Sequence, residues 1–520
     1  NTSDHKIVTF SITDVDDTAP TVSSFTMSDI ALKIGDTATV TLVFSEAVSD
    51  FSKEDITVIN GSLSTMTTND NITWTGTFTP TIDIEDTSNV LTLATSYTDT
   101  AGNAGPSATT MNYTIDTSAP TINSITPSWG SYLNSTEDNS NRTVTVVTTG
   151  VEDDQTLTIG LNSKNYTGTV SSNSVIITIV GADLRALTEG TTYTITANVS
   201  DAAGNAATQG STTFIYDITH PSISSFTMSD IALKIGDTAT VTLVFSEAVS
   251  DFSKEDITVI NGSLSTMTTN DNITWTGTFT PTIDIEDTSN VLTLATSYTD
   301  TAGNAGPSAT TMNYTIDTSA PTINSITPSW GSYLNSTEDN SNRTVTVVTT
   351  GVEDDQTLTI GLNSKNYTGT VSSNSVIITI DGEDLRALTD GTTYTITANV
   401  SDAAGNAATQ GLTTFIYDIT EPTLIEIGIY IHQDNSGSFI TSAGKKVILT
   451  FKASESIQEP IVTFKSGSAD ITDTSSITYS TTDNITWTVS YITNSGDTNG
   501  IVSYSIEYKD LAGNNGIIYT

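Results

Sequence analysis

The chain contains a copy of itself. The string SSFTMSDIALKIGDTATVTLVFSEAV begins at Ser23 and again at Ser224, and the match runs unbroken to Ile179 and Ile380. Beyond those points the copies differ at scattered sites, such as Val180 against Asp381, Glu189 against Asp390 and Ser211 against Leu412. Self-similarity at a fixed period marks an array of stacked units and forbids a single shared core. Each unit divides again, because an Asp-x-x-x-Pro element recurs at Asp16, Asp116, Asp217, Asp317 and Asp418. A turn of the form Asp-x-Ala-Gly-Asn recurs with it, at Asp99–Asn103, Asp201–Asn205, Asp300–Asn304, Asp402–Asn406 and Asp510–Asn514. Five turns define five domains: 17–117, 118–218, 219–318 (a copy of the first), 319–419 (a copy of the second) and 420–520, after an N-terminal strand in 1–16.

Within a domain the apolar residues alternate. Ala38, Val40, Leu42 and Phe44 share one face of a strand, and Tyr193, Ile195 and Ala197 repeat the pattern. Turn signals such as Ile34-Gly35-Asp36 and Asn60-Gly61 separate the runs. Only DLRALTEG near Leu184 reads as helical. The spacing predicts an all-β chain, a linear tandem array of five immunoglobulin-like β-sandwich domains, with Trp74, Trp275 and Trp487 as core plugs.

The 520 residues carry 59 acidic against 16 basic groups, a formal charge of −43, which repels phosphate backbones and anionic membranes and argues against nucleic acid as a partner. Cysteine is absent, so no disulfide supports the sandwiches. No apolar run is long enough to insert into a membrane, and no signal segment precedes Asn1, which reads as a processed chain or a fragment.

LKIGDTATVTLVFSEAV, followed by NGSLS and TWTGTFTPT and closed by TDTAGN, resembles the bacterial Ig-like repeats of large secreted adhesins. GVEDDQTLTIGLNSKNYTGTV and DLRALTEGTTYTITANVSDAAGN resemble a second Ig-like subtype of the same proteins, and similar modules occur in prokaryotic surface-layer and filament proteins. The resemblance covers nearly the whole chain and implies the sandwich fold, an extracellular or cell-surface location and rods stiffened by calcium.

The linker and turn acids are the candidate metal ligands: Asp16, Asp99, Asn103, Asp116, Asp201, Asn205, Asp217, Asp300, Asn304, Asp317, Asp402, Asn406, Asp418, Asp510 and Asn514. Carboxylates and carbonyls gathered at one end of a sandwich suit Ca2+, a hard ion taking six to eight oxygens, whereas the same residues also make ordinary Asx turns. Asp116, which ends the last strand of domain 1, is expected to meet Asp99 and Asn103 of that domain. Further acids, Glu46, Asp50, Glu54 and Asp55 with their copies and Glu152, Asp153 and Asp154 with theirs, read as solvated loops.

Catalysis is not expected, since the histidines, His5, His220 and His432, occupy unrelated positions and no nucleophile or phosphate loop accompanies them. Sequons permit N-glycosylation at Asn60, Asn71, Asn112, Asn134, Asn141, Asn165 and Asn198, at Asn261, Asn272, Asn313, Asn335, Asn342, Asn366 and Asn399, and at Asn484.

The segment IVTFSITDVD, Ile7 to Asp16, alternates like the last strand of a domain, while the fifth domain reads as lacking that strand. Val8, Phe10 and Ile12 are therefore expected to complete the fifth domain of another copy by donor-strand exchange, giving a head-to-tail filament. The alternatives are an extender segment of a giant adhesin or surface-layer protein, joined to neighbouring Ig-like domains, and a carbohydrate-binding array. The last requires exposed aromatic platforms, for which Trp129, Trp330, Tyr132 and Tyr333 are the candidates.

Overall fold

A computed structural model describes residues 9, 15–431 and 442–520. The donor-strand residues Val8, Phe10 and Ile12, like His5 and His432, lie outside the described residues.

Domain 1 is built from β1 (Val22–Met27), β2 (Ala31–Lys33), β3 (Ala38–Phe44), β4 (Ile56–Thr57), β5 (Gly61–Leu63), β6 (Thr67–Thr68), β7 (Thr73–Pro80), β8 (Glu85–Asn89), β9 (Thr92–Leu93), β10 (Ala108–Thr109) and β11 (Tyr113–Asp116). One sheet runs β1-β3-β7-β5, with β6 also on β7; the facing layer is β10-β9-β4 and β2-β11-β8. Along β3 the alternation holds: Ala38, Val40, Leu42 and Phe44 are buried while Thr39, Thr41 and Val43 face outward. Period two converts directly into one buried and one solvated face. The closing strand β11 pairs with β2 in parallel, with Asp116 beside Lys33, so both reach the same end of the sandwich.

Domain 2 comprises β12 (Thr121–Pro127), β13 (Tyr132–Leu133), β14 (Arg142–Thr149), β15 (Thr156–Leu161), β16 (Lys164–Thr169), β17 (Ser174–Ile179), β18 (Thr191–Asn198) and β19 (Gly210–Tyr216), with a single helical turn at Gly181–Leu184. Its sheets are β12-β14-β17 and β13-β19-β18-β15-β16, and β19 again runs parallel to the short strand β13. Domains 3 and 4 repeat these two plans. In domain 5, strands at 424–431, 446–453, 478–480 and 486–492 face a sheet of 461–466, 469–470 and 502–507. On its other side the 502–507 strand carries, among the described residues, one bridge, Ile506 to Tyr519.

Five separate cores result, running from Phe25 to Ile115, Trp129 to Tyr216, Phe226 to Ile316, Trp330 to Tyr417 and Val447 to Tyr508. Trp487 is a core plug, whereas Trp74 and Trp275 are only partly buried at the core edge. Trp129 and Trp330 correct the carbohydrate-platform expectation. They are 7% and 6% exposed and pack edge-on against Phe214 and Phe415, which leaves half-buried Tyr132 and Tyr333 as the remaining aromatics of that set.

One buried polar pair anchors the even domains. The Tyr216 hydroxyl donates to Asp138 Oδ2 at 2.7 Å, and Arg185 donates to the Asp138 carbonyl at 2.8 Å. Burial first, and then Asp138, push the Tyr216 phenol well above its ordinary range and keep it a donor. Tyr216→Phe strips a carboxylate of a buried donor and is expected to cost domain 2 about 2 kcal/mol. The unfolding of domain 2 against domain 4, where Tyr417 is intact, measures the loss.

Candidate functional site at the domain junctions

The Asp-x-Ala-Gly-Asn turn is a closed motif. In domain 2, Asp201 Oδ1 accepts the Asn205 backbone N–H at 2.7 Å and Oδ2 accepts Asn205 Nδ2 at 2.9 Å. The chain turns back through Gly204, whose φ of +94° is a conformation that favours glycine. The turn precedes the last strand, and that strand runs away from it. The turn therefore lies at the N-terminal end of its own sandwich, opposite the end that Asp116 reaches.

This geometry corrects the pairing expected from the sequence. Asp116 does not meet Asp99 and Asn103; it meets the turn of the following domain, where Asn205 Nδ2 donates to the Asp116 carbonyl at 2.9 Å. The same bond joins Asn304 to Asp217, Asn406 to Asp317 and Asn514 to Asp418. Asn103 donates to Asp16 in the same way, at 3.0 Å.

The other end of each amide reaches across the junction. Asn205 Oδ1 accepts the Ile34 N–H of domain 1 at 2.8 Å, and Asn406 Oδ1 accepts that of Ile235. Asn304 Oδ1 accepts the Ser135 N–H of domain 2 at 2.9 Å, and Asn514 Oδ1 that of Ser336 at 3.2 Å. One asparagine thus binds its own turn, the linker and the preceding domain. Asp201, Asn205, Asp300, Asn304, Asp402, Asn406, Asp510 and Asn514 are all buried. Four of the asparagines expected as metal ligands, Asn205, Asn304, Asn406 and Asn514, therefore bond the preceding domain, whereas Asn103 bonds its own turn and the linker.

Two kinds of junction alternate. Before domains 3 and 5 the preceding loop sends in a neutral amide: Asn134 Nδ2 donates to Ala302 O at 3.0 Å, and Asn335 Nδ2 to Ala512 O at 2.8 Å. Before domains 2 and 4 a lysine occupies that place, with Lys33 and Lys234 Nζ lying 3.3 Å from where a Cβ would sit on Gly204 and Gly405.

The acids divide in parallel. Asp16, Glu46 and Asp99 bring one carboxylate oxygen each within 4.8 Å of one another, as do Asp217, Glu247 and Asp300, and Asp418, Glu455 and Asp510. Burial first, and then Asp300 and Asp217, push the Glu247 carboxyl up. Glu455 is raised by burial, Asp418 and Asp510. Glu46 is raised by burial, Asp16 and Asp99, while the Asn103 hydrogen bonds hold Asp99 down. Before domains 2 and 4, Asp116 and Asp317 are raised chiefly by burial, with Asp201 and Asp402 adding to it; among the described residues neither belongs to a three-acid group.

The glutamates of these triads were missed as site residues. Glu46 reads as part of a solvated loop, yet FSEAV, its copy at Glu247 and ASESI at Glu455 each place a Ser-Glu pair directly after a buried strand, and that was the available signal. Of the other members of its set, Asp50 accepts from Thr98 Oγ1 and Asp55 from the Ser52 N–H. Asp153 accepts from the Ser172 N–H, and Glu152 from the Ala202 N–H at the junction. His220, the one histidine among the described residues, spans the junction before domain 3. Its Nδ1 lies 2.8 Å from Ala305 O and its Nε2 3.2 Å from Ser135 Oγ.

Several sequon asparagines already use their side-chain amide in the fold. Asn60 Nδ2 donates to Asp86 and Asn89, and Asn134 Nδ2 to Ala302 across the junction, with the copies at Asn261 and Asn335 doing the same. Asn165 and Asn198 stand exposed on strands. Mass spectrometry of the chain from its own cells is expected to find Asn60 and Asn134 unmodified whatever the state of Asn165.

The fold and its junctions define a tandem array of Ig-like sandwiches stapled end to end. Within it, residues 16–115 and 217–316 match the family model of a bacterial Ig-like domain. No curated protein matches the chain. Among solved structures, a 1.5-MDa bacterial ice-binding adhesin is 24% identical, covering 58% of this chain and 98% of its own, with a TM-score of 0.29. A Ca2+-stabilized adhesin of an Antarctic bacterium is also 24% identical, covering 78% and 100% at a TM-score of 0.31. The titin I-band fragment I67–I69 is 11% identical, covering 59% and 100% at 0.30. At such scores these overlaps say nothing about what this chain binds.

Proposed function

We propose that the chain is a structural extender: a rod of Ig-like domains within a prokaryotic surface adhesin or surface-layer protein, outside the cell and without catalysis. The observation that carries this reading is the repeated staple. In domains 2 to 5 one asparagine each ties turn, linker and preceding domain together, so bending a junction breaks hydrogen bonds between buried groups.

Calcium is the proposed ligand of the three acidic triads. Three converging carboxylates form a hard-oxygen set that suits Ca2+, and burial first, with the neighbouring carboxylates second, holds Glu247 and Glu455 above the ordinary glutamate range. Small-angle scattering tests both parts. Calcium is expected to lengthen the largest dimension of the metal-stripped chain. A profile unchanged by calcium would remove the ion from the reading, and a flexible chain under both conditions would remove the rod.

One observation favours a second reading, the filament. Among the described residues, the 502–507 strand carries only the Ile506–Tyr519 bridge on its open side, and an unpaired edge can accept a foreign strand. Val8, Phe10 and Ile12 of another copy are the proposed occupants. Binding of a labelled peptide of residues 7–16 to the chain shortened by its first 14 residues would support it; no binding would leave the extender reading alone.

A further inference from the structure

Domains 1 and 3 have the same sequence from Ser23 and Ser224 through the acidic turn and differ in what precedes it, including Asp17, Ala19, Thr21 and Val22 against Ile218, His220, Ser222 and Ile223, so the turn itself can be compared between them. In domain 3, Ala302 is 8% exposed and Asn304 1%. Asn134 of domain 2 donates to the Ala302 carbonyl, and the Ser135 N–H donates to Asn304 Oδ1. In domain 1 the equivalent Ala101 is exposed and Asn103 half-buried. Asn103 Nδ2 nevertheless already donates to Asp16 O and Asp99 Oδ2, at 3.0 and 2.9 Å, so the turn is set. Only its outward half lacks partners: no donor among the described residues reaches Asn103 Oδ1 or Ala101 O.

We infer that this end of domain 1 is a docking face for a further Ig-like domain of the domain 2 kind, joined ahead of Asp16. The inference rests on the stapled-array reading and adds a rule of order to it. Triad-bearing turns, in domains 3 and 5, receive an Asn-Ser loop, Asn134-Ser135 or Asn335-Ser336. Turns without a triad, in domains 2 and 4, receive a Lys-Ile loop, Lys33-Ile34 or Lys234-Ile235. Domain 1 carries the triad Asp16, Glu46 and Asp99 and therefore belongs with the first group.

The loops are not interchangeable in shape. Asn134 is short and held by its own turn, its Oδ1 accepting the Thr136 and Glu137 N–H groups, which aims Nδ2 at the Ala302 carbonyl. Lys33 crosses the same spot with a long flexible stem, so its loop offers no fixed amide donor to that carbonyl.

The test uses the full chain and hydrogen exchange of the 99–103 turn, with the 300–304 turn of the same molecule as reference. A copy of residues 118–216 placed directly ahead of Asp16, in place of residues 1–15, is expected to slow the 99–103 turn by about tenfold, to the rate of the reference. A copy of 319–417 should do the same, which guards against one insertion failing to fold. A copy of 17–115 should leave the turn fast, and Ser135→Pro in the inserted copy of 118–216, which removes the N–H donor, should restore fast exchange. No slowing with either even-type copy, or equal slowing with 17–115, would overturn the inference. If the 300–304 turn already exchanges as fast as 99–103 in the unextended chain, the stapled array itself is wrong, which is a separate failure.

Discussion

Asn304→Ala is expected to destabilise domain 3 by about 3 kcal/mol and to release it from domain 2. Asn304 and Asp300 are each 1% exposed, so water cannot replace what the amide supplies. Truncation takes Nδ2 from Asp300 Oδ2 and from the Asp217 carbonyl, and removes the acceptor of the Ser135 N–H. A buried carboxylate that loses a donor costs more than a neutral group does. Asn103→Ala, in the same sequence context but without the bond to a preceding domain, is expected to cost less. Domains unfold as separate units in such arrays, so calorimetry of the two variants against the parent resolves which transition moves. A shift of domain 3 within about 0.5 kcal/mol, or equal shifts for both variants, would mean that the asparagine is an ordinary turn residue.

The sandwiches were legible because their signals are local. β3 alternates as Ala38, Val40, Leu42 and Phe44 require, and the turn at Gly204 contains the glycine that its φ demands. What the sequence hid was direction. Asp99 and Asp116 lie close along the chain, and only the path of β11, away from the turn, separates them to opposite ends of the domain. Once that path is known, each linker acid belongs to the domain after it.

Two further placements were hidden for the same reason. Glu46 sits on an acidic stretch that suggests a solvated loop, but the end of β3 brings it beside Asp99, far away in sequence. Trp129, flanked by Ser, Gly and Tyr, suggests an exposed platform, yet it folds inward onto Phe214. Long-range placement of this kind leaves no periodic trace in the chain.

The metal-stripped chain is expected to gain stability as the pH falls from neutral toward the ordinary carboxyl values, and the calcium-loaded chain to lose it. Asp217, Glu247, Asp418 and Glu455 are all held above their ordinary values, by burial first and by neighbouring carboxylates second. A carboxyl raised in the folded state binds its proton there at a pH where the unfolded chain has released it. Its contribution is therefore full below the ordinary values of 3.8 for Asp and 4.5 for Glu, and is lost as pH rises through the folded value. Carboxyls held low, such as Asp271, Asp384 and Asp483, act only below 3.8 and leave this window clear.

Calcium reverses the slope because it requires the triads ionised, so each proton taken up displaces the ion. At a hundredfold excess over its dissociation constant, one bound ion adds about 2.7 kcal/mol. Domains 3 and 5 carry complete triads against a preceding domain and should show the effect, while domains 2 and 4, whose turns face Lys33 and Lys234, should not. Melting curves from neutral pH toward the ordinary carboxyl values, with and without calcium, are expected to converge on the acid side for domains 3 and 5. A calcium-induced rise of equal size in all five domains would place the ion elsewhere than the triads, and no rise in any would leave hydrogen bonding alone to stiffen the junctions.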